Sequence, residues 1–486
     1  MNVKNVAIMG DIRVALSEIP KDVSHVVGRP PSYREVYTPA RHSLALDPEI
    51  PIVVGSRGSG KSFWASVLTD DTVRAQVAPS YPRLRLDDVS ARPGFVDQAI
   101  DAAVSRDTLD ELAVDEVSTR KLWLILAIRV VEEFLGLSSS GSLASAMAIY
   151  DASEDREARL RILNDELGRR SQRIVIVFDA LDRLANDWEG IRLRTSSLLE
   201  TLLKLRAYKN IKFKLFLRPE QLSSVPTGFT DLSKLKAGSF DLRWSALDLY
   251  GLAYTYLANS ASSWSAFQAL LNNLFRESSD TIQGKAKLPV YLLRNPESQE
   301  RLFVTIAGQY MGADKRRGKT YTWLPKHLAD TNGRITPRSF LTALGEAARH
   351  ERAPSHDHAL SIEGLKHGVS EASVLRVDQL KDEYQWIDLA LTPLAGQAVP
   401  CNFSAIFERW SEADTLNSIA EHSYRNRYLP PFEAAADEYD GNIKLLVALM
   451  DIGVVEIRSD QRVNIPDLFR IAALMLRRGG VPVPQY

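Results

Sequence analysis

The chain has 486 residues, 45% of them apolar and 25% charged, a balance that fits roughly three globular domains and excludes a wholly disordered polypeptide. Sixty Lys and Arg stand against 61 Asp and Glu, a formal net charge of −1, so any contact with nucleic acid needs a local basic patch in place of an overall field. The single cysteine, Cys401, excludes an internal disulfide, fits a reducing cytosol and reads as a small buried hydrophobe.

The first residues carry no apolar stretch of signal-peptide type. Residues 1–48, rich in turn formers such as Gly28-Arg29-Pro30-Pro31, read as an arm leading into the apolar run Ile50-Pro51-Ile52-Val53-Val54. Over residues 49–245 the β-branched runs Ile52 to Val54, Ile174 to Phe178 and Ile211 to Leu217 alternate with longer stretches of helical spacing, the pattern of a parallel α/β core. The most apolar of those stretches, Leu122 to Leu135, carries Arg129, Glu132 and Glu133 and is too short to cross a bilayer, so no membrane contact is expected and the protein is placed in the cytoplasm. Across residues 246–352 Leu247, Leu249, Leu252 and Tyr256, then Phe267, Leu270, Leu271 and Leu274, keep helical spacing and predict an all-helical domain. Residues 353–374 read as a linker entered through Arg352-Ala353-Pro354-Ser355-His356-Asp357-His358, and residues 375–486 as helices with one hairpin.

Gly55-Ser56-Arg57-Gly58-Ser59-Gly60-Lys61-Ser62 satisfies G-x-x-x-x-G-K-[ST], the phosphate-binding loop called Walker A. Glycines let successive backbone N–H groups converge on phosphate oxygens, and the helix that follows adds the positive end of its dipole. The pattern assigns Lys61 to the β- and γ-phosphates of ATP and Ser62 to Mg²⁺. A plain glycine turn with an incidental lysine is the competing reading, and the buried-strand run before the loop and the helical run after it count against that. The second half of such a site is a carboxylate at the end of a neighbouring buried strand, which Ile174 to Asp179 supplies, making Asp179 the second metal residue. Asp182, three positions on, has two readings: a group that orients or polarises the attacking water, or a helix cap or ion-pair partner of Arg183.

Asp179-Ala180-Leu181-Asp182-Arg183 resembles the Walker B variant of the STAND and KAP P-loop NTPases, a branch of the AAA+-like ATPases. KAP proteins tend to carry Asp-Asp-Leu-Asp-Arg, and Ala180 in place of the second Asp points to the broader STAND or origin-recognition-like group. The resemblance spans about residues 35–350 and rests on three short motifs. It implies an α/β P-loop NTPase core with a parallel sheet, followed by a helical lid that begins near Asp241-Leu242-Arg243-Trp244 and by a winged-helix domain. It also implies that Arg218, after the strand Ile211 to Leu217, is a sensor of the γ-phosphate, the alternative being a pair with Glu220. Arg338, in Pro337-Arg338 at a helix start, takes the second-sensor position, the alternative being a surface arginine. The basic run Lys315-Arg316-Arg317-Gly318-Lys319 reads as a solvated loop, or else offers Arg316 or Arg317 as a finger to a neighbouring subunit.

Near the end, the helical run Ile443 to Met450, the strands Val454 to Arg458 and Arg462 to Ile465, and a helix opened by Pro466-Asp467 and ending in Leu476-Arg477-Arg478-Gly479-Gly480 follow winged-helix order. Its wing tip is mixed (Arg458, Asp460, Arg462) and the preceding Glu433, Asp437, Glu438 and Asp440 are acidic, so a protein contact is favoured over DNA; Arg470, Arg477 and Arg478 are the candidates if DNA is bound. The histidines, among them His350, His356 and His358, lack paired ligand spacing, and no G-x-S-x-G elbow is present. The expected function is an ATP-binding, slowly hydrolysing switch ATPase that couples nucleotide state to homo-oligomerisation or to a separate effector protein, as in bacterial signalling or anti-phage defence. The alternative is a DNA-binding ATPase of origin-recognition or loader type.

Overall fold

Three apolar runs with β-branched residues, two of them directly followed by turn residues, become neighbours in one sheet. The computed structural model describes residues 3–20, 31–96, 103–137, 141–223, 231–350, 357–428, 430–432 and 438–477. It divides into two compact units, His25–Leu242 and Met1–Ser24 with Arg243–Tyr486.

The first unit is built on five parallel strands: β1 (Ile52–Val54), β2 (Val89–Pro93), β3 (Arg173–Phe178), β4 (Ile211–Leu217) and β5 (Ser239–Asp241), in the order β2-β3-β4-β1-β5. Strand β4 therefore lies between the strand that enters the glycine loop and the strand that ends at Asp179. Alternation along β3 sends Ile174, Ile176 and Phe178 to one face, under the helices Glu116–Phe134, Ser153–Arg169 and Trp188–Leu205, and Val175 and Val177 to the other, under the helix Lys61–Thr69. With both faces covered, β3 is apolar from Ile174 on, as a parallel sheet requires. The apolar stretch within Leu122–Leu135 is thus a core helix, and among the described residues no helix is long and apolar enough to cross a membrane.

The second unit is largely helical and has its own core. Tyr250 anchors it, stacked on Tyr321 at 4.2 Å between ring centres and donating its hydroxyl to the Tyr321 carbonyl at 2.7 Å. The helices Pro337–Arg349 and Ile362–Glu383 meet so closely that a Cβ on Gly368 would lie 2.0 Å from the Ala343 carbonyl oxygen, which restricts this position to glycine. The linker read over residues 353–374 is thus corrected from Ile362 on, where Leu365, Val369 and Ala372 are buried in the core. The N-terminal residues read as an arm contain a helix, Val3–Ser17, whose Met9, Ile12, Ala15 and Leu16 are buried in this core. A stretch without strong hydrophobic periodicity still folds as a helix because tertiary burial supplies what propensity lacks. Residues 246–352 are not wholly helical, since Asp280–Ile282 and Lys285–Lys287 form a short hairpin.

Toward the end of the chain the strand Ala398–Val399 is followed by the helices Phe403–Glu412, Thr415–Asn426 and Glu438–Asp451, then by the antiparallel pair Glu456–Ile457 and Val463–Asn464. Cys401, only half-buried, bridges back to Val463. The last expected helix is corrected: it spans only Asp467–Arg470, and Leu476–Arg477 is a strand paired in parallel with Ala398–Val399. Residues 28–30, 351–356, 433–437 and 478–480, which include His356, Glu433, Asp437 and Arg478 of the sequence reading, lie outside the described residues.

Candidate functional site

Strand β1 delivers the chain to the loop 55–60, and the helix Lys61–Thr69 starts immediately after it. Gly58 and Gly60 hold φ of 79° and 97°, the left-handed region in which a Cβ is strained. A Cβ on Gly55 would lie 2.4 Å from the Ser59 hydroxyl, so the loop closes on itself as only glycine allows. The first-turn N–H groups of the helix have no intrahelical acceptor and carry the positive end of its dipole. Lys61 folds back over the loop and donates to the Gly55 carbonyl at 2.6 Å and the Ser56 carbonyl at 3.2 Å. Arg57 is partly exposed on the same loop, and Ser59 is buried in it.

Asp179 follows the last residue of β3, and the Ser62 hydroxyl and the Lys61 ammonium are among the groups that act on its carboxyl. Burial drives the Asp179 carboxyl above the ordinary carboxylate range; the Ser62 hydroxyl, the Lys61 ammonium and the Ala180 N–H oppose that rise, and nearby Asp182 adds to it. Ala180 takes a left-handed φ of 53°, turning the chain sharply into the 3₁₀ turn Leu181–Arg183 that carries Asp182. A half-buried carboxylate and a hydroxyl are hard oxygen donors of the kind that suit Mg²⁺ completed by phosphate and water oxygens. Among the described residues no group of three or more His, Cys, Asp or Glu side chains could hold a metal ion unaided.

Arg218, directly after β4, is bound to Asp182 at 2.7 Å, with Glu220 farther off at 3.9 Å; its backbone N–H donates to the Gln221 side chain at 2.9 Å. Arg218 thus reaches Glu220, the partner the sequence offers it, only at the edge of ion-pair distance, and its shorter contact is with Asp182, for which the sequence offers Arg183 as ion-pair partner. Gln221, 2% exposed, was not legible as a site residue, because a glutamine after a strand end has no motif. Arg338 belongs to the other unit, where Thr336 caps the helix Pro337–Arg349 by accepting from the Ser339 N–H and Arg338 sits in its first turn, half-buried.

The remaining arginines of the sequence reading are placed as follows. Arg316 is exposed in a 3₁₀ turn and bound to Asp314 at 2.6 Å, and Lys319 is bound to Glu300 at 2.7 Å, while Arg317 shares the turn. Arg462 is bound to Asp460 at 2.7 Å in the turn between the antiparallel strands Glu456–Ile457 and Val463–Asn464. Arg470 is corrected: it is 1% exposed and bound to Asp467 at 2.8 Å, so no nucleic-acid phosphate can reach it. Arg477 shares the same carboxylate at 3.3 Å.

A five-stranded parallel sheet whose β1 ends in this glycine loop, with β4 inserted before the strand ending in Asp179, defines a P-loop NTPase core carrying a helical C-terminal region. No protein-family model matches the chain, and no curated protein matches it. Among solved structures it is similar to the ORC2 protein of Aeropyrum pernix, solved as ADPNP-ADP complexes, at 13% identity over 92% of this chain and 93% of that one, with a TM-score of 0.41. It is also similar to the Aeropyrum pernix ORC1 protein, solved in complex with DNA, at 15% identity over 91% and 93% of the two chains, with a TM-score of 0.34.

Proposed function

We propose that this protein is a Mg²⁺-dependent switch ATPase whose ATP-bound and ADP-bound states differ in assembly with itself or with a separate effector protein. The observation that carries the reading is the half-buried Asp179 carboxyl under the influence of Ser62 and Lys61, next to a loop shaped by glycines. In it Gly55, Ser56, Arg57, Gly58, Ser59 and Gly60 wrap the phosphates, Lys61 moves from its carbonyl acceptors to the β- and γ-phosphates, and Ser62 and Asp179 hold the metal. Bound Mg²⁺ supplies charge neutralisation at the transferred phosphoryl group. Asp182, at the turn beside the site, serves to orient the attacking water. Turnover is read as slow, as fits a switch.

On this reading residues 49–245 are the ATPase core, 246–352 the lid and 375–486 a winged-helix module, which the order strand, three helices and hairpin supports. Arg338 is its second sensor, and Arg316 or Arg317 a finger for a neighbouring copy. The module is read as a protein contact, because Arg462, Arg470 and Arg477 are each engaged by an acidic side chain.

The test pairs nucleotide binding with mass photometry in ATP, in ADP and without nucleotide, each with and without duplex DNA. Lys61→Ala should abolish binding, Asp179→Ala should abolish Mg²⁺-dependent hydrolysis, and wild type should change assembly state with nucleotide whether or not DNA is there. Normal turnover in either variant refutes the ATPase reading; assembly that requires DNA and falls steeply with salt replaces the switch by a DNA loader.

A further inference from the structure

Strands β3 and β4 run side by side with Phe178 opposite Leu215, and β4 and β1 with Leu217 opposite Val54. The first loop glycine, Gly55, donates its N–H to the Leu217 carbonyl at 3.0 Å, so Arg218 is the next residue along from the edge of the phosphate loop. On its other side the chain leaves β3 at Asp179, and the left-handed turn at Ala180 brings Asp182 round to the Arg218 guanidinium at 2.7 Å. The Arg218 side chain is 14% exposed and that of Asp182 36%, so the pair is partly sheltered, where an ion pair resists salt screening better than at an open surface.

Building on the ATPase reading above, we propose that Asp182 is a positioning residue that competes with the terminal phosphate of a nucleoside triphosphate for Arg218, and so sets how strongly the site prefers ATP to ADP. A guanidinium can fork two oxygens of a carboxylate or of a phosphoryl group equally well, so the two ligands are rivals in kind. ADP lacks the competing group and leaves the Asp182–Arg218 pair intact. ATP must take Arg218 from Asp182, and the freed carboxylate is then repelled by the phosphates and by Asp179. The charge that holds Arg218 thereby lowers the affinity for the triphosphate selectively, which keeps the switch from saturating at low ATP.

The experiment measures Kd for ATP and for ADP, in Mg²⁺, for wild type, Asp182→Asn, Arg218→Gln and the double variant. Asp182→Asn should raise the preference for ATP over ADP by about tenfold, and in the Arg218→Gln background the same substitution should change that preference by less than about twofold. Loss of a negative charge near phosphates would tighten both nucleotides whether or not Arg218 is present; an equal shift in the two backgrounds, or no shift at all, overturns the inference. Should Asp182→Asn fail to fold, Arg218→Gln decides by itself: it must weaken ATP about tenfold or more and leave ADP within about twofold, and equal losses overturn the proposal. Lys61→Ala is carried alongside, since undiminished nucleotide binding in that variant defeats the parent reading, whereas binding lost in Lys61→Ala with an unmoved ATP preference in Asp182→Asn defeats only this one.

Discussion

Lys214 offers the sharpest quantitative test of the core. It lies within β4, is 0% exposed, and donates to the Asp47 carbonyl at 2.8 Å and the Ile50 carbonyl at 2.7 Å, pinning the segment that enters β1. Burial pushes its ammonium down to about 7, only partly offset by Asp47. The folded value lies below the ordinary lysine value of about 10.4, so between the two the unfolded chain binds more protons and stability rises with pH. Applied to that window, linkage gives a gain of about 2 kcal/mol from pH 7 to pH 9 and less than about 0.5 kcal/mol from pH 6 to pH 7. The perturbation is Lys214→Met, which fills the same space without a titrating group; the lost donors to the two carbonyls weaken the variant equally at every pH and cancel in the comparison. Urea unfolding of both proteins at pH 6, 7, 8 and 9, extrapolated to water, reads the difference. Wild type should gain about 2 kcal/mol on the variant between pH 7 and pH 9. A gap constant across that range would show that Lys214 keeps its proton in the folded protein up to pH 9, and would refute the reasoning.

Three further outcomes are expected. Gly368→Ala should lower the stability of the helical unit by about 1–3 kcal/mol, because its Cβ meets the Ala343 carbonyl oxygen, while Gly10→Ala, with nothing within 4 Å, should be neutral or slightly stabilising in a thermal melt. Asp467→Asn should cost about 3–5 kcal/mol by leaving the Arg470 charge buried without its carboxylate, and Asp467→Asn with Arg470→Met should recover much of that in chemical unfolding; equal losses in the single and double variants would deny the coupling. Ser62→Ala should weaken ATP binding by about tenfold in Mg²⁺ and by less than about twofold in EDTA, an isothermal titration result that a metal-independent role for the hydroxyl would not give.

The glycine loop was legible because its pattern is local, glycines at fixed offsets with a lysine and a hydroxyl, and Asp179 stood out as the charge closing an apolar run. The alternation of Lys212, Lys214 and Phe216 with apolar neighbours along β4 carried no such message, since a lysine on a strand ordinarily marks a solvated face, and here only the carbonyls of Asp47 and Ile50 make burial tolerable. Composition, the strands β1, β3 and β4 and the residues of the G-x-x-x-x-G-K-[ST] pattern were legible in the sequence alone because each depends on a short stretch of chain and the solvent it must face or avoid. The strand order, the pairing of Asp182 with Arg218, the burial of Arg470 under Asp467 and the helix at residues 3–17 were decided only by the tertiary structure. Each joins segments far apart in sequence or depends on what such segments bury, and a charge's partner is chosen by which strand ends and helices packing brings within hydrogen-bond reach, a quantity no local pattern encodes.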